Sequence, residues 1–320
     1  MDYIWVHPQK NKKLQPVKFI NMWERNGNIF NKHHSQVPVV DINNNGYWRI
    51  YYSKRMDNKS HPFYIDVEIG NPSNVLFESK TPILELGNLG KFDVAGIMPT
   101  EIITIGKIKY LYYIGWTNRL DVPYHNTLGL AISTDGGNTW NKFSSGPIFG
   151  TSYKEPGYIG TISIIKKDKL FYGYYLACRE WKLFDGKPEP IYDIKYATSK
   201  NGIDWFPIGT SVKLEEGEGG ISKASVIKHY DRYLMWYSVR MESDYRTNPT
   251  NSYRIKCAES FDLVNWKKIS ILGLDVDNDS SWDNQMVEYP HIINYKNKLY
   301  MFYNGNGFGK TGIGYATIER

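Results

Sequence analysis

Apolar β-branched residues recur in pairs along this chain, and each pair is followed, after a short polar turn, by a pair of aromatic residues. The branched pairs are Val39-Val40, Ile102-Ile103, Ile164-Ile165, Val226-Ile227 and Ile292-Ile293. The aromatic pairs are Tyr51-Tyr52, Tyr112-Tyr113, Tyr174-Tyr175, Trp236-Tyr237 and Phe302-Tyr303. Successive branched pairs lie 63, 62, 62 and 66 residues apart, and successive aromatic pairs 61, 62, 62 and 66. Two independent markers keeping one long period define a repeated supersecondary unit. The turn between them, such as Asn43 to Gly46, makes each copy open as a hairpin. A third strand is predicted at Leu128 to Ile132, Ile194 to Ala197, Ile255 to Ala258 and Ile313 to Ala316. A turn ending in Trp140, Trp205 or Trp266 then starts a fourth.

Five units of four antiparallel strands predict an all-β, five-bladed β-propeller. Strands this rich in Tyr, Trp, Val and Ile do not suit helices. The repeats run from about residue 33 to the end, so residues 1–320 form one expected domain. The fifth unit stops after its third strand, at Glu319-Arg320. The segment 1–32 is therefore expected to supply the missing strand, from Tyr3 to Val6 or from Val17 to Ile20, because an open propeller would leave two sheet edges unpaired.

Composition adds modest constraints. Aromatics at 15% and 28 glycines suit many short strands joined by turns. The 39 basic and 33 acidic residues leave a net charge of +6 without a long basic run, which fits an anionic ligand and does not require nucleic acid. No stretch has the apolar length of a signal peptide or a membrane span. Cys178 and Cys257 fall on strands of different units and are expected to be buried free thiols in a reducing compartment. A cytoplasmic protein with a small-molecule partner and no membrane partner is the expectation.

In a propeller the first strand of each blade lines the central channel, so the residues just before each branched pair lie near one mouth. These positions hold Ser35 and Gln36, Met98 and Pro99, Gly160 and Thr161, Ser222 and Lys223, and Glu288 and Tyr289. Loops leading into these strands add His33, His34, Asp93, Glu155 and Glu218. The residues after the aromatic pairs add Lys54, Arg55, Trp116, Arg179, Trp181, Arg240, Asn304 and Asn306. Unlike polar residues at equivalent positions point to a site, since packing alone would repeat similar ones. Each has a plainer reading: a lone carboxylate before a strand is usually a turn residue, and the Arg179-Glu180 pair can be a rim ion pair of little worth. His33 and His34 lack a second cluster with ligand spacing, so no metal is expected. Ser133 to Trp140 is expected to be a structural turn. The Gly-rich segment Gly305 to Lys310 has no helix behind it to make a phosphate loop.

From about His33 to Glu319 the chain resembles the five-bladed propeller glycosidases, a superfamily that includes arabinanases, xylosidases, fructosidases and β-mannoside phosphorylases. It is most similar to a bacterial glycosidase-like branch. The segments that carry the resemblance are His33 to Pro38, Phe92 to Pro99, Tyr112 to Trp116, Tyr192 to Ala197, and Glu288 to Pro290 with Asn304 to Gly307. The resemblance implies a carbohydrate-active enzyme without a cofactor. In its hydrolases an Asp base enters the first blade, an Asp the second and a Glu acid the third, an arrangement suited to inversion. Here Gln36 stands at the base position, while Asp93 and Glu155 lie upstream of theirs, with Thr161 where the Glu is expected.

The resulting expectation is cleavage or transfer of a glycosyl bond of an anionic sugar, sugar phosphate or nucleotide sugar. Glu155 would be the general acid, with Asp93 and Glu288 as the other carboxylates. His34, Gln36, Trp116, Arg179, Trp181, Lys223, Arg240, Tyr289 and Asn304 would bind substrate. The alternative, which Gln36 favours, is a propeller that binds a glycan or sugar nucleotide without turning it over. A sialidase would need six blades and an arginine triad.

Overall fold

The computed structural model describes residues 23–32, 34–44 and 46–319, together with a short pairing of β1 (Ile4–Trp5) with β2 (Pro16–Val17). Apart from two single turns it is built of strands. β3 (Glu24–Phe30) comes first, followed by β4 (Ser35–Asp41), β5 (Trp48–Met56), β6 (Lys59–Glu68) and β7 (Asn71–Glu78). The second unit holds β8 (Gly96–Ile105), β9 (Ile108–Thr117), β10 (His125–Ser133) and β11 (Asn141–Lys142). The third holds β12 (Ile159–Lys167), β13 (Leu170–Phe184), β14 (Lys187–Ser199) and β15 (Phe206–Val212). The fourth holds β16 (Glu218–His229), β17 (Arg232–Met241), β18 (Arg254–Ser260) and β19 (Lys267–Leu274), and the chain ends on β20 (Glu288–Tyr295), β21 (Lys298–Asn304) and β22 (Ile313–Glu319). Each unit is an antiparallel meander, with the branched pair on its first strand and the aromatic pair on its second.

The fifth unit takes its fourth strand from the N-terminal side, but not from the expected runs. β3 pairs with β22, matching Ile313 with Phe30 and Thr317 with Glu24. Ile4-Trp5 and Pro16-Val17 pair with each other, and the rest of 3–6 and 17–20 lies outside the described residues. A polar strand could be chosen because it lies on the outside, where only Phe30 is buried.

Contacts between units are as regular as the units. Trp140, Trp205 and Trp266, each just before a fourth strand, pack edge-on against Tyr51, Tyr112 and Tyr174 of the preceding unit, with centroids 5.7, 6.4 and 5.2 Å apart. Trp23, just before β3, meets Trp236 in the same way at 5.9 Å. Such edge-to-face pairs contribute about 0.5–1.5 kcal/mol beyond the area they bury. The turn before Trp140 is tied by Ser133 and Asp135, whose carboxylate accepts from the Asn138 and Thr139 amides, so its role is structural.

Along the first strands, one side chain of each unit reaches the backbone of the next. Glu101 accepts from the Ile164 amide, Ser163 from Val226 and Ser225 from Ile292. His291 hydrogen-bonds the Val40 backbone, and β4, β8, β12, β16 and β20 touch in succession, with β20 also touching β4. Cys178 and Cys257 are buried free thiols. Among the described residues no helix is long and apolar enough to cross a membrane.

Candidate functional site

Every first strand carries a bulge at the same place: after Gln36, Pro99, Ile159, Ser222 and Glu288 the pairing register with the second strand shifts. Val37, Lys223 and Tyr289 take left-handed backbone angles there, with φ of 55°, 48° and 56°. Bulges re-aim side chains next to functional sites. Here they turn adjacent residues toward a cavity of about 570 Å³ that all five units line.

Eight aromatic side chains stand in its walls. Trp116 and Tyr124 come from the second unit, Tyr158 and Tyr192 from the third, Tyr245 and Tyr253 from the fourth, and Tyr289 and Phe308 from the fifth. Gln36, Asn58, Asn118 and Asn126 add amides. The basic residues are His34, Arg55 and Arg246, and no Asp or Glu is among the lining residues described.

These basic residues are held in place. The Arg55 guanidinium lies 5.0 Å from the centre of the Trp116 ring. Arg246 is gripped by Glu189, with Nε 3.0 Å from Oε1 and Nη2 3.2 Å from Oε2, and Tyr245 donates to the same carboxylate. Arg246 also faces the rings of Tyr245 and Phe308, at 4.8 and 5.3 Å. His34 Nε2 donates to the Phe308 carbonyl at 3.0 Å. Burial, helped by Arg55 and Lys310, holds the His34 pKa below its usual value. Phe308 sits at φ 59°, a costly conformation for a bulky residue that fits a functional position. The Gly-rich segment allows it: Gly309, at φ 85°, passes so close to Ser35 that a Cβ would lie 2.1 Å from the Ser35 carbonyl oxygen.

Of the residues singled out from sequence, His34, Gln36, Arg55, Met98, Trp116, Gly160, Thr161, Ser222 and Tyr289 line this cavity. The others stand elsewhere, and His33 lies outside the described residues. Glu155, expected as the general acid, is buried in a cluster of its own: Tyr175 donates to Oε1 at 2.8 Å and Lys195 pairs with Oε2 at 2.8 Å. Asp93 accepts from Tyr113 at 3.3 Å and pairs with Lys142 at 2.6 Å. Asp283 repeats the arrangement with Tyr303 and Arg25, at 2.9 and 3.2 Å, and Glu218 pairs with Lys256 at 2.7 Å. These four carboxylates are equivalent in the repeat. Asp93, Glu155 and Asp283 tie the loop before a first strand to the second strand and to an outer strand, and Glu218, at the start of β16, ties that strand to β18 and β19.

Arg179 is half exposed, 3.8 Å from Asp193. Trp181 packs behind the lining residues Tyr124 and Tyr158, at 5.4 and 5.9 Å. Arg240 is buried behind Tyr192 and Tyr245, its guanidinium 4.9 and 3.9 Å from their ring centres. Asn304 joins the fifth unit to the first, accepting from the Val37 amide at 2.8 Å and donating to the Ser35 carbonyl at 2.6 Å. Lys223 is fully buried without a hydrogen-bond partner among the described residues, and burial pushes its pKa down to about 8 against the pull of Glu101. Glu288 is also fully buried and unpartnered, while its neighbour Tyr289 lines the cavity.

Sequence reasoning missed Arg246, Tyr245, Tyr253 and Phe308. They lie on connections between second and third strands, and the one legible signal was the unusual length of the fourth unit's connection, from Glu242 to Tyr253.

No family model matches the chain. Two curated relatives from Mycobacterium tuberculosis, Uncharacterized protein MT1551 and Uncharacterized protein Rv1502, are each 29% identical, over 312 and 310 residues, covering 93% of this chain and 99% of theirs. Among solved structures, a complex of BT0996 with RGII superposes with a TM-score of 0.70 at 18% identity, covering 93% of this chain and 92% of that one. A structure described as belonging to the GH130 family of mannoside phosphorylases, which contains glycoside hydrolases that target β-1,2 mannosidic linkages in Candida mannan, gives 0.66 at 14% identity, covering 93% of both chains. The chain therefore has the all-β fold of glycoside-hydrolase-like proteins.

Proposed function

We propose that the five units are the blades of a closed five-bladed propeller whose cavity binds an anionic carbohydrate, and that a glycosyl bond is cleaved or transferred there. The propeller reading draws on the side-chain links between successive first strands and on the contact of β20 with β4. The ligand reading rests on one observation: eight aromatic side chains line the cavity together with Arg55 and Arg246, without a carboxylate among the described lining. Aromatic faces suit the C–H faces of a sugar, and guanidinium groups bind phosphate or carboxylate through paired hydrogen bonds. A sugar phosphate, a nucleotide sugar or an acidic sugar fits both.

The same lining favours one kind of glycosyl chemistry. Without a carboxylate in the cavity wall, water has no general base there, and Gln36 cannot provide one. A nucleophile that carries its own charge does not need that base, and inorganic phosphate is one that His34, Arg55 and Arg246 can hold. One structural neighbour is described as belonging to the GH130 family of mannoside phosphorylases, which also contains glycoside hydrolases. The second reading, binding without turnover, is favoured by Gln36 itself.

Calorimetry with a hexose 1-phosphate and the corresponding free hexose tests the ligand class. The phosphate ester should bind at least roughly 10-fold more tightly, as expected for one charge-assisted hydrogen bond, and Arg55→Ala should erase the difference. Equal affinity for the neutral sugar would overturn the anionic reading.

A further inference from the structure

Glu288 opens the first strand of the fifth unit, and among the described residues no group hydrogen-bonds either of its carboxyl oxygens. It is fully buried. A bare carboxylate in such a place would cost several kcal/mol. Burial therefore favours the neutral acid, raising its pKa well above the ordinary carboxylate value, opposed by the nearby Arg246 guanidinium. Tyr289 is the other titratable group beside it.

Its position in the repeat gives this acid a direction. Glu288 is equivalent to Ser35, Met98, Gly160 and Ser222; the last three line the cavity, as does its own neighbour Tyr289, whereas Ser35 and Glu288 lie just behind the wall, fully buried. The Ser222 hydroxyl is likewise buried without a partner. β16 and β20, which carry the two, touch. Packing does not call for an acid here, since the equivalent positions hold serine, glycine and methionine. Nor does stability, because an unsatisfied buried polar group is a cost.

We propose that Glu288 is the proton donor for the glycosyl reaction, delivering its proton to the oxygen that leaves the anomeric carbon. This rests on the carbohydrate reading above and adds a catalytic residue to it. In the step, the bond from the anomeric carbon to the leaving oxygen breaks, and its electron pair goes to that oxygen, which takes the Glu288 proton. The anomeric carbon bonds to an oxygen of hydrogenphosphate, the co-reactant. The glycosyl phosphate monoanion so formed returns its remaining proton to Glu288, leaving an alcohol and a glycosyl phosphate dianion. Burial suits the task, because it keeps the acid protonated at neutral pH while Arg246 attracts the phosphate.

The test uses aryl glycosides of the common hexoses with inorganic phosphate, comparing the parent protein with Glu288→Gln. Turnover of unsubstituted phenyl glycosides should fall roughly 10²–10⁴-fold, while hexose 1-phosphate binding stays within about 3-fold of the parent, a shift well under 1.4 kcal/mol. Dinitrophenyl glycosides, whose leaving group needs no proton, should recover most of the lost rate. The parent's activity should decline on the alkaline side as Glu288 ionises, and that limb should vanish in the variant. Should Glu288→Gln not fold, Glu288→Asp, which withdraws the acid by one methylene, should give the same dependence on leaving group. Unchanged turnover, or an equal loss for both leaving groups, would overturn the assignment. So would a parent that binds hexose 1-phosphate but cleaves no glycoside, a result that leaves the binding reading standing. A parent that does neither would remove the carbohydrate reading as well. In that case infrared difference spectra of parent and Glu288→Gln still decide whether position 288 holds a protonated carboxyl at neutral pH, and an ionised one would contradict the proposal on its own.

Discussion

Asp93, Glu155, Glu218 and Asp283 follow one another at intervals of 62, 63 and 65 residues, and each is buried and paired with a cation from an outer strand of its unit. Glu288 also sits at a repeated position, yet its counterparts Ser35, Met98, Gly160 and Ser222 are not acidic and it has no hydrogen-bond partner among the described residues. The first set is a structural device used four times. Glu288 breaks the repeat, has no packing role to explain it, and stands beside the residues that line the cavity. In a pseudo-symmetric protein, a charged group that recurs with its partners is therefore evidence for architecture. One that occurs once and unpaired is evidence for chemistry.

The comparison can be broken most forcefully at the repeated contacts. Trp205→Ala removes the ring that fills the space against Tyr112, and should cost about 3–5 kcal/mol in urea unfolding, as large core truncations do. A loss below about 1 kcal/mol would mean that the inter-unit tryptophans are not structural. Lys195→Met leaves Glu155 buried without its cation and should cost about 3 kcal/mol or more. Hexose 1-phosphate affinity should be unchanged in the protein that remains folded. A large loss of affinity at full stability would instead place Glu155 at the ligand.

Arg55 sharpens the other side. It has no carboxylate partner among the described contacts and stacks on Trp116. Arg55→Ala should weaken binding of a sugar phosphate roughly 10–100-fold, the worth of a hydrogen bond to a charged group, with little change in unfolding. Affinity should also fall as salt is added. His34 supplies a smaller, pH-dependent effect. Because its pKa is lowered from 6.5, it is neutral at pH 7 and gains charge only as pH falls through that lower value. Anion affinity should therefore rise on acidification below about pH 6.5, and His34→Asn should flatten the rise.

Lys223 gives a signal of a different kind, which concerns stability rather than binding. Its folded pKa, about 8, lies below the ordinary 10.5, so between these values the unfolded chain binds more protons than the folded one. Its contribution to stability is therefore unfavourable at neutral pH and improves as pH rises from about 8 toward 10.5. Lys223→Met should remove that slope in unfolding measured across the window.

Much of the architecture could be read from the chain because strands and turns repeat with a period: the branched pairs mark first strands, the aromatic pairs second strands, and Trp140, Trp205 and Trp266 the start of the fourth. The N-terminal strand was misplaced because Glu24–Phe30 is largely polar, which apolar runs cannot reveal. Its overlooked signal was Trp23, which occupies the same place before its strand as the other three tryptophans. At the site, Gln36 and Tyr289 were legible because they lie on the repeating strands. Arg246, Tyr245 and Phe308 were not, since their loops follow no period. Glu155 and Asp93 suggested catalysis because their tyrosine and lysine partners are 20 to 49 residues away in sequence and meet them only in the fold.

A crystal structure of the protein soaked with a hexose 1-phosphate would test the central claim most directly. The account predicts the sugar against Trp116, Tyr124 and Tyr158, the phosphate within hydrogen-bond reach of Arg55 or Arg246, and Glu288 as the nearest carboxyl to the anomeric oxygen. A sugar that contacts Glu155 or Asp93 instead, or that binds outside the aromatic cavity, would contradict it.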